Sequence, residues 1–519
     1  MATAVALIPL VYILVRAGEA GAANWFDYVL TGRVAGLATR SMLLAAVVAV
    51  GCLVLGVGSA LLVTRTDVPG RRAFAVLAAL PLAVPSYVAA FSWVSVADFW
   101  SSTAQFEGFW AAALVLTLYT YPYVYLPVAA SLVGADQGQE EVARSLGRGP
   151  WRTLLGVTLP QVRPAIAGGG LLAVLYVLSD FGAVSILRVD TFTRAVFTAF
   201  SAGFDRVGAL TLSTVLLLLT VVILTMEART RRAGARFSRT GGGVRRPPRP
   251  AALGVWRWAA VSGLVAVALA ALGVPAVAMA RWLSAGVSRP GSLGDVVAAA
   301  AGSLSVSLAG ATLTMLLALP VGILVARHPG RLSAVLERAA YLAHSLPGVV
   351  VGLSLVFFGV SVVLPLYQTT WLLALAYATL FLPLGVAAVT GAAAQAPPSL
   401  EEVGQSLGHP PRRVFTRITL PLTLPGIGAG AAMVFLTCMK ELPATLLLRP
   451  TGLETLATEL WAATAVQRYA EAAPYAVLLV ALAAGPTWVL AKRSGVVAAE
   501  DLPGRPAPEP DPVRAMVER

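Results

Sequence analysis

The sequence predicts an all-α membrane protein with about twelve transmembrane helices, arranged as two parallel six-helix repeats. Hydrophobic residues make up 58% of the 519 positions and charged residues only 12%, whereas soluble domains average about 25% charged residues. Apolar stretches of about 20 residues, enough for a helix to cross a bilayer, recur along the chain. The polar residues of the first half return in the second half at a nearly constant spacing.

The apolar stretches predict the positions of the spans, and the arginines between them predict their direction. Short loops rich in Arg favour the cytoplasmic side, and such loops lie at 65–72 and 327–331. This places both termini and the loops 134–164 and 394–423 in the cytoplasm. The predicted spans are 2–17, 42–64, 73–97, 109–133, 165–187, 207–226, 253–280, 302–326, 335–363, 370–393, 424–447 and 473–491.

Composition divides the chain into four segments. Residues 1–227 form the first predicted repeat and residues 253–498 the second. Residues 228–252 are rich in Arg, Gly and Pro, which favours a basic cytoplasmic linker, with contact to anionic lipid as the alternative. Residues 499–519 are polar and predicted to be a disordered cytoplasmic tail. The first apolar run has no positive residues before it, so an uncleaved first helix is favoured over a signal peptide.

The internal repeat is clearest in the two long cytoplasmic loops. Glu141-Val-Ala-Arg-Ser-Leu-Gly147 returns 261 residues later as Glu402-Val-Gly-Gln-Ser-Leu-Gly408. The same offset relates Val157-Thr-Leu-Pro160 to Ile418-Thr-Leu-Pro421. Similarity between apolar runs alone would not preserve polar residues at one spacing, so the chain contains two homologous halves. A pathway between the halves follows from a pseudo-twofold axis along the membrane normal.

Each repeated loop predicts two short helices joined by a turn. Gly147 and Gly408 suit the left-handed residue that ends a helix, and Pro150 and Pro411 suit the first position of the next helix. Asp136 is the start signal of the first loop. In the second loop, Ser399 and Glu402 predict a capping box. A short exposed helix of this kind suits a groove on a partner protein.

These motifs resemble the coupling loop in the membrane subunits of type I ATP-binding-cassette importers. The resemblance covers essentially the whole chain and implies a fused permease with two copies of that loop. Two copies of a separate ATPase subunit and an extracytoplasmic solute-binding protein are implied as partners, in a bacterial inner membrane. The implied ATPase-docking residues are Glu141, Ala143, Gly147, Pro160, Glu402, Gly404, Gly408 and Pro421.

The motor is predicted to lie on other subunits. A P-loop requires a Gly-Lys pair, and none occurs in the sequence. The chain is therefore predicted to be a transport subunit without its own ATPase site, with ATP bound by the partners. No metal site is predicted, because the three histidines and two cysteines have no metal-ligand spacing. No nucleic-acid partner is predicted either, because the basic residues lie between apolar segments, where they set orientation. The chain is predicted to bind no cofactor of its own.

Asp180, Lys440 and Glu441 are the candidate pathway residues. Charge at membrane depth is costly and usually faces a cavity or a partner, and Asp180 and Glu441 are repeat mates. The alternative is a structural role, with Glu441 paired to Lys440 or an arginine. The stretches 179–185 and 440–450 resemble fused permeases of the ferric-iron group, which implies iron as the substrate. Thiamine, phosphonate, sulfate and polyamine remain alternatives.

Two other functional classes compete with the importer. A secondary transporter can also have twelve spans in two halves, but it does not need two such loops and usually has more acids at the membrane midplane. A membrane-embedded enzyme would need a catalytic cluster, and no Ser–His–Asp arrangement or paired His or Cys cluster is discernible.

Overall fold

A computed structural model describes residues 2–19, 28–100, 106–203, 205–234, 251–284, 293–328, 330–344 and 346–493, and this part of the chain is helical throughout, without named strands. The helices of the first half are α1 (Ala2–Glu19), α2 (Gly32–Arg65), α3 (Arg71–Leu77), α4 (Ser86–Trp100), α5 (Phe109–Thr120), α6 (Pro122–Val133), α7 (Gln137–Ser145), α8 (Pro150–Thr153), α9 (Leu159–Ser179), α10 (Gly182–Ile186), α11 (Phe192–Ser201) and α12 (Arg206–Gly234). Those of the second half are α13 (Trp256–Ala268), α14 (Val274–Ser284), α15 (Leu293–Arg327), α16 (Arg331–His344), α17 (Gly348–Ser361), α18 (Thr370–Gln395), α19 (Pro398–Ser406), α20 (Pro411–Val414), α21 (Leu420–Met439), α22 (Pro443–Leu448), α23 (Leu456–Ala465) and α24 (Tyr469–Arg493).

The two halves follow the same helix order, which confirms the all-α membrane fold with two six-helix repeats. Among the described residues, eight continuous helical segments are long and apolar enough to cross a membrane by themselves. Some of these segments join two of the helices named above, as α5 and α6 do in Phe109–Val133. α3 and α4 together are also apolar enough but form a bent pair, either a broken span or a re-entrant loop, and the apolar segments Gly348–Ser361 and Tyr469–Gly485 are shorter. α1 lies at the position of the first predicted span.

Four predicted spans are not the continuous helices that hydropathy indicated. The predicted span 335–363 is divided into α16, which ends at His344, and α17, which begins at Gly348. The predicted span 73–97 bends by 97° between α3 and α4, where Pro81 and Pro85 each lack a backbone N–H. The predicted spans 165–187 and 424–447 begin earlier and end earlier. Their helices run from Pro150 to Ser179 and from Pro411 to Met439, each through one π-helical turn, at Leu154–Thr158 and Phe415–Thr419.

The halves are interlocked through their first helices. α1 packs on α17, where Ser354 Oγ donates to the Pro9 carbonyl at 2.7 Å and Tyr12 Oη donates to the Phe357 carbonyl at 3.2 Å. In the second half, α14 packs on α4 of the first half as well as on α24. The largest buried core accordingly contains residues of both halves.

The start of the second half is attached to the first half before α13 begins. Ala251 N–H donates to the Arg65 carbonyl at 2.8 Å, and its own carbonyl accepts from Asp67 N–H at 3.2 Å. α12 extends to Gly234, seven residues past the predicted end of the first repeat at position 227. Residues 235–250 of the predicted linker and the predicted tail 499–519 lie outside the described residues.

Candidate functional site: the repeated loops and the cavity between the halves

Both repeated loops end their first helix in the same left-handed turn. Gly147 has φ 78° and Gly408 has φ 80°. In the first loop, Arg148 N–H donates to the Ala143 carbonyl at 3.1 Å and Gly147 N–H donates to the Arg144 carbonyl at 3.0 Å. In the second loop, the N–H groups of Gly408 and His409 form the two equivalent hydrogen bonds, at 2.9 and 3.2 Å respectively. This pair of bonds is the Schellman motif, so the predicted left-handed helix end at both glycines is confirmed.

The beginnings of the two loop helices differ. Asp136 caps α7, because its Oδ1 accepts from Gly138 N–H at 2.9 Å. The predicted capping box of Ser399 and Glu402 is wrong, since α19 begins at Pro398 with no side-chain cap. The helix begins earlier than the box requires, because Pro397 takes the N-cap position and has no side-chain oxygen to accept a hydrogen bond, and Ser399 lies inside the first turn. Pro150 and Pro411 begin α8 and α20 as predicted.

The predicted docking residues divide into exposed and buried positions. Glu141 and Glu402 are exposed, as are the turn glycines Gly147 and Gly408. Pro421 is exposed and Pro160 is half-buried, at the start of the helices that return to the membrane.

Ala143 and Gly404 are buried against the helix that returns to the membrane. The two residues differ by one methyl group, and a residue on that helix differs in size in the opposite sense. A Cβ added to Gly404 would lie 2.7 Å from Cδ1 of Ile418, the methyl group that Val157 lacks in the first half. One loop therefore combines Ala with Val and the other combines Gly with Ile.

The motif-based prediction missed the neighbouring glutamates Glu140 and Glu401. The Glu140 carboxylate forms an ion pair with Arg65 at 3.1 Å and accepts from Thr158 Oγ1 at 2.9 Å. The Glu401 carboxylate forms an ion pair with Arg327 at 2.7 Å. The sequence did contain a signal for them, because both glutamates and both arginines are repeat mates.

A cavity of about 260 Å³ lies between the halves and brings together all three candidate pathway residues. Asp180 lines it from the first half, and Lys440 and Glu441 line it from the second. Four tyrosines of the first half also line the cavity. Their repeat mates in the second half are mostly aliphatic, so the phenol groups are on one side only. These tyrosines are Tyr87, Tyr119, Tyr123 and Tyr176.

The two acids of the cavity have the same local role at the breaks that follow α9 and α21. Asp180 Oδ1 accepts from Ala183 N–H at 3.0 Å, at the start of α10. Glu441 Oε1 accepts from Ala444 N–H at 3.0 Å, at the start of α22. Each acid thus satisfies backbone donors that the break leaves open, as an N-cap residue does.

Each acid also accepts a hydrogen bond from a hydroxyl group, but the two hydroxyl groups lie on helices that are not repeat mates. Ser86 Oγ, on α4, donates to the Asp180 carboxylate, whereas Thr445 Oγ1 donates to Glu441 Oε2 at 2.9 Å from within α22. The mate of Ser86 is Gly348, and a Cβ there would lie 2.5 Å from Glu441 Oε1. The smaller residue makes room for the longer acid.

Lys440 joins the two halves rather than neutralising Glu441. Its Nζ donates to the carbonyl of Leu82, in the first half, at 3.0 Å. Among the described residues Glu441 forms no ion pair with Lys440 or an arginine, so the structural alternative in that form is wrong; its partners are backbone N–H groups and Thr445.

A second cavity of about 410 Å³ lies beyond the first, and Phe181 lines both. Phe181 is 2% exposed. Its ring packs on Phe197 of α11, with centroids 4.6 Å apart, and on Trp461 of α23, at 5.1 Å. These three residues are called the aromatic cluster below; all three line the second cavity, and Phe181 also lines the first.

The described residues contain no group of three or more His, Cys, Asp or Glu side chains placed to hold a metal ion. Cys52 and Cys438 are both buried and free.

Comparison with known protein families gives a match in each half. The family described as "Binding-protein-dependent transport system inner membrane component" matches residues 52–233 and 318–491. The chain belongs to this family. Both matched regions contain a repeated loop and one of the two cavity acids, so the family's transport role fits the duplicated architecture. The chain is a multi-pass inner-membrane transport component.

Individual relatives support the same family membership. The "Fe(3+)-transport system permease protein FbpB 2" of Haemophilus influenzae is 36% identical over 488 residues, covering 93% of this chain and 95% of the relative. The "Sulfate transport system permease protein CysW" of Escherichia coli is 25% identical over 239 residues, covering 43% of this chain and 81% of the relative. The "Molybdate/tungstate transport system permease protein WtpB" of Thermococcus kodakarensis is 30% identical over 149 residues, covering 28% and 58%.

Proposed function

We propose that this chain forms the complete membrane pathway of an ATP-driven importer for ferric iron. The observation that supports this most directly is a relative named as an Fe(3+)-transport permease that aligns with 93% of the chain, across both halves. The relatives named for sulfate and for molybdate or tungstate align with less than half of it.

The ATPase would be a separate subunit, present twice. The two exposed loop helices α7 and α19 are the surfaces offered to it, since a short amphipathic helix suits a groove on a partner. The docking residues would be Glu141, Ala143, Gly147 and Pro160 with their mates Glu402, Gly404, Gly408 and Pro421. ATP would bind to those subunits, and this chain would hold no cofactor of its own.

The loops and both termini would face the cytoplasm, as the arginine-rich loops indicate. The family description includes dependence on a binding protein. We therefore place an extracytoplasmic solute-binding protein on the opposite face, where it would deliver the substrate.

The pathway would pass through the cavity lined by Asp180, Lys440 and Glu441. Two carboxylates against one ammonium group make this region favourable for a cation and unfavourable for an oxyanion such as sulfate or molybdate. Tyr87 adds a phenol oxygen that is buried and makes no hydrogen bond within the described residues. Carboxylate and phenol oxygens suit a highly charged cation such as Fe³⁺, which supports iron over the anionic substrates.

Uptake by proteoliposomes tests the proposal. The chain is reconstituted with its ATPase subunit and solute-binding protein, and ⁵⁵Fe³⁺, sulfate and molybdate uptake are measured with and without ATP. We expect ATP-dependent uptake of iron and none of either anion. Anion uptake would contradict the substrate assignment, and uptake driven by a proton gradient without the ATPase would contradict the importer.

Two variants test the pathway assignment. Asp180→Asn and Glu441→Gln keep the size of each side chain and an oxygen that accepts one backbone N–H. We expect each to reduce iron uptake at least fivefold while the ATPase subunit still co-purifies. Unchanged uptake from both would remove these residues from the pathway.

A further inference from the structure

Each repeated loop contains two adjacent glutamates that face opposite ways. The second of each pair, Glu141 or Glu402, is exposed. The first of each pair turns inward, and the side chain of Glu140 is only 10% exposed. The inward glutamates are not part of the family motif, and the proposed docking role does not use them.

The inward glutamates tie both loops to the ends of the two long helices. Arg65 is the last residue of α2, and it donates to the Leu132 carbonyl at 2.9 Å as well as pairing with Glu140. Arg327 is the last residue of α15, and it donates to the Ala396 carbonyl at 3.0 Å as well as pairing with Glu401. The two arginine side chains are each 11% exposed, so solvent screens these pairs less than a surface pair.

The same two helices are attached, in their first third, to the helices of the aromatic cluster. Ser41 Oγ of α2 accepts from Phe192 N–H, at the start of α11, at 3.2 Å. Ser303 Oγ of α15 accepts from Leu456 N–H, at the start of α23, at 2.8 Å. α11 and α23 provide Phe197 and Trp461, whose rings pack on Phe181 between the two cavities.

On α2, Ser41 and Arg65 are 24 residues apart, and on α15, Ser303 and Arg327 are 24 residues apart, which at 1.5 Å per residue gives about 36 Å of helix between the two attachment points. Each helix therefore connects a repeated loop at its last residue to one side of the aromatic cluster in its first third. A continuous helix held at two points is a physical link between two sites.

We propose that Glu140 and Glu401 are positioning residues that transfer movement of the loops to α2 and α15, and through them to the aromatic cluster. The proposal rests on the ATPase docking described above. Closure of the two ATPase subunits displaces the loops, and the ion pairs make the ends of α2 and α15 follow. Without the charge on the glutamates, the loops move but the long helices lag behind.

The first experiment compares the variant Glu140→Gln/Glu401→Gln with the wild type in proteoliposomes that contain the ATPase subunit and the solute-binding protein. Co-purification of the ATPase, the rate of ATP hydrolysis and iron uptake are measured together. We expect co-purification and hydrolysis to stay within twofold of wild type and uptake per ATP hydrolysed to fall at least fivefold. The variant Glu141→Gln/Glu402→Gln, at the exposed neighbours, is expected to weaken ATPase association instead.

A second measurement avoids any dependence on the substrate. Ser201 lies exposed at the end of α11 and lines the second cavity, so Ser201→Cys provides a labelling site for a membrane-impermeant maleimide. The native cysteines are 0% and 1% exposed and are expected to react slowly. The labelling rate should change when ATP and vanadate trap the ATPase, and this change should be lost in the Gln/Gln variant. The charge exchange Arg65→Glu/Glu140→Arg, together with Arg327→Glu/Glu401→Arg, should restore this change in labelling rate.

The outcomes separate this inference from the proposed function. Absence of ATP-dependent uptake in the wild type would overturn the importer itself. An unchanged ratio of uptake to hydrolysis in the Gln/Gln variant would overturn the positioning role. A parallel loss of ATPase association, hydrolysis and uptake, with no rescue by the charge exchange, would show that the pairs only stabilise the loops and would overturn it as well.

Discussion

Replacing Gly147 with alanine tests whether the left-handed turn, rather than the space around it, sets the shape of the repeated loop. A Cβ at Gly147 would meet nothing within 4 Å, but the residue has φ 78°. Gly149, two residues away, also has open space around it, yet its φ is −64°. Gly149→Ala is therefore a matched control that adds the same methyl group without backbone strain.

The size of the expected change in affinity for the ATPase subunit follows from the backbone conformation of Gly147 alone. A left-handed conformation costs an L-residue about 1–2 kcal/mol. If the loop relieves this strain by unwinding the turn, the ratio of docking-shaped to unwound loops falls by roughly 5- to 30-fold. The apparent Kd for the ATPase subunit rises by up to that factor, because only the competent fraction binds. Gly149→Ala is expected to leave the affinity unchanged, since φ near −64° is open to alanine.

Titration of the ATPase subunit onto nanodisc-embedded permease measures this affinity directly. Gly408→Ala should reproduce the effect in the second loop, because Gly408 has φ 80° and equally open surroundings. Equal affinities for Gly147→Ala and Gly149→Ala would refute the reasoning, as would a loss caused by both.

Three further substitutions follow from the packing of the site. Gly404→Ala should destabilise the second loop by about 1 kcal/mol through crowding against Ile418, and Gly404→Ala/Ile418→Val should recover that loss in thermal unfolding; a purely additive result would contradict the compensation. Phe181→Ala should open a passage between the two cavities and let proteoliposomes leak small ions without ATP, and a tight variant would remove the aromatic cluster as a barrier. Ser303→Ala leaves the buried Leu456 N–H without its acceptor and should cost about 1–3 kcal/mol, and unchanged unfolding would show that this bond is dispensable.

The sequence predicted the repeated loops well because their shape is local. Gly147 and Pro150 define a turn and a helix start through their own backbone chemistry, and the 261-residue offset showed that the second half repeats them. The capping box at Ser399 failed for a local reason too, because the helix begins at Pro398 and Pro397, at the N-cap position, has no side chain that can accept a hydrogen bond.

Hydropathy was less informative about where the membrane helices break. The bend between α3 and α4 and the breaks at Asp180 and Glu441 lie within apolar runs that average as continuous spans. The breaks are stable because acids accept the freed backbone N–H groups, and a window average of hydropathy does not register such single hydrogen bonds.

By itself, the sequence determined that the chain is a duplicated membrane protein with two repeated helix–turn–helix loops, because these properties follow from composition, periodicity and backbone preferences. Only the tertiary structure decided which of two adjacent glutamates faces inward, and that Arg65 and Arg327 are their partners. It also decided that Phe181 lies between two cavities. Those facts depend on the distances between side chains far apart in the chain, which helix packing fixes and residue spacing does not.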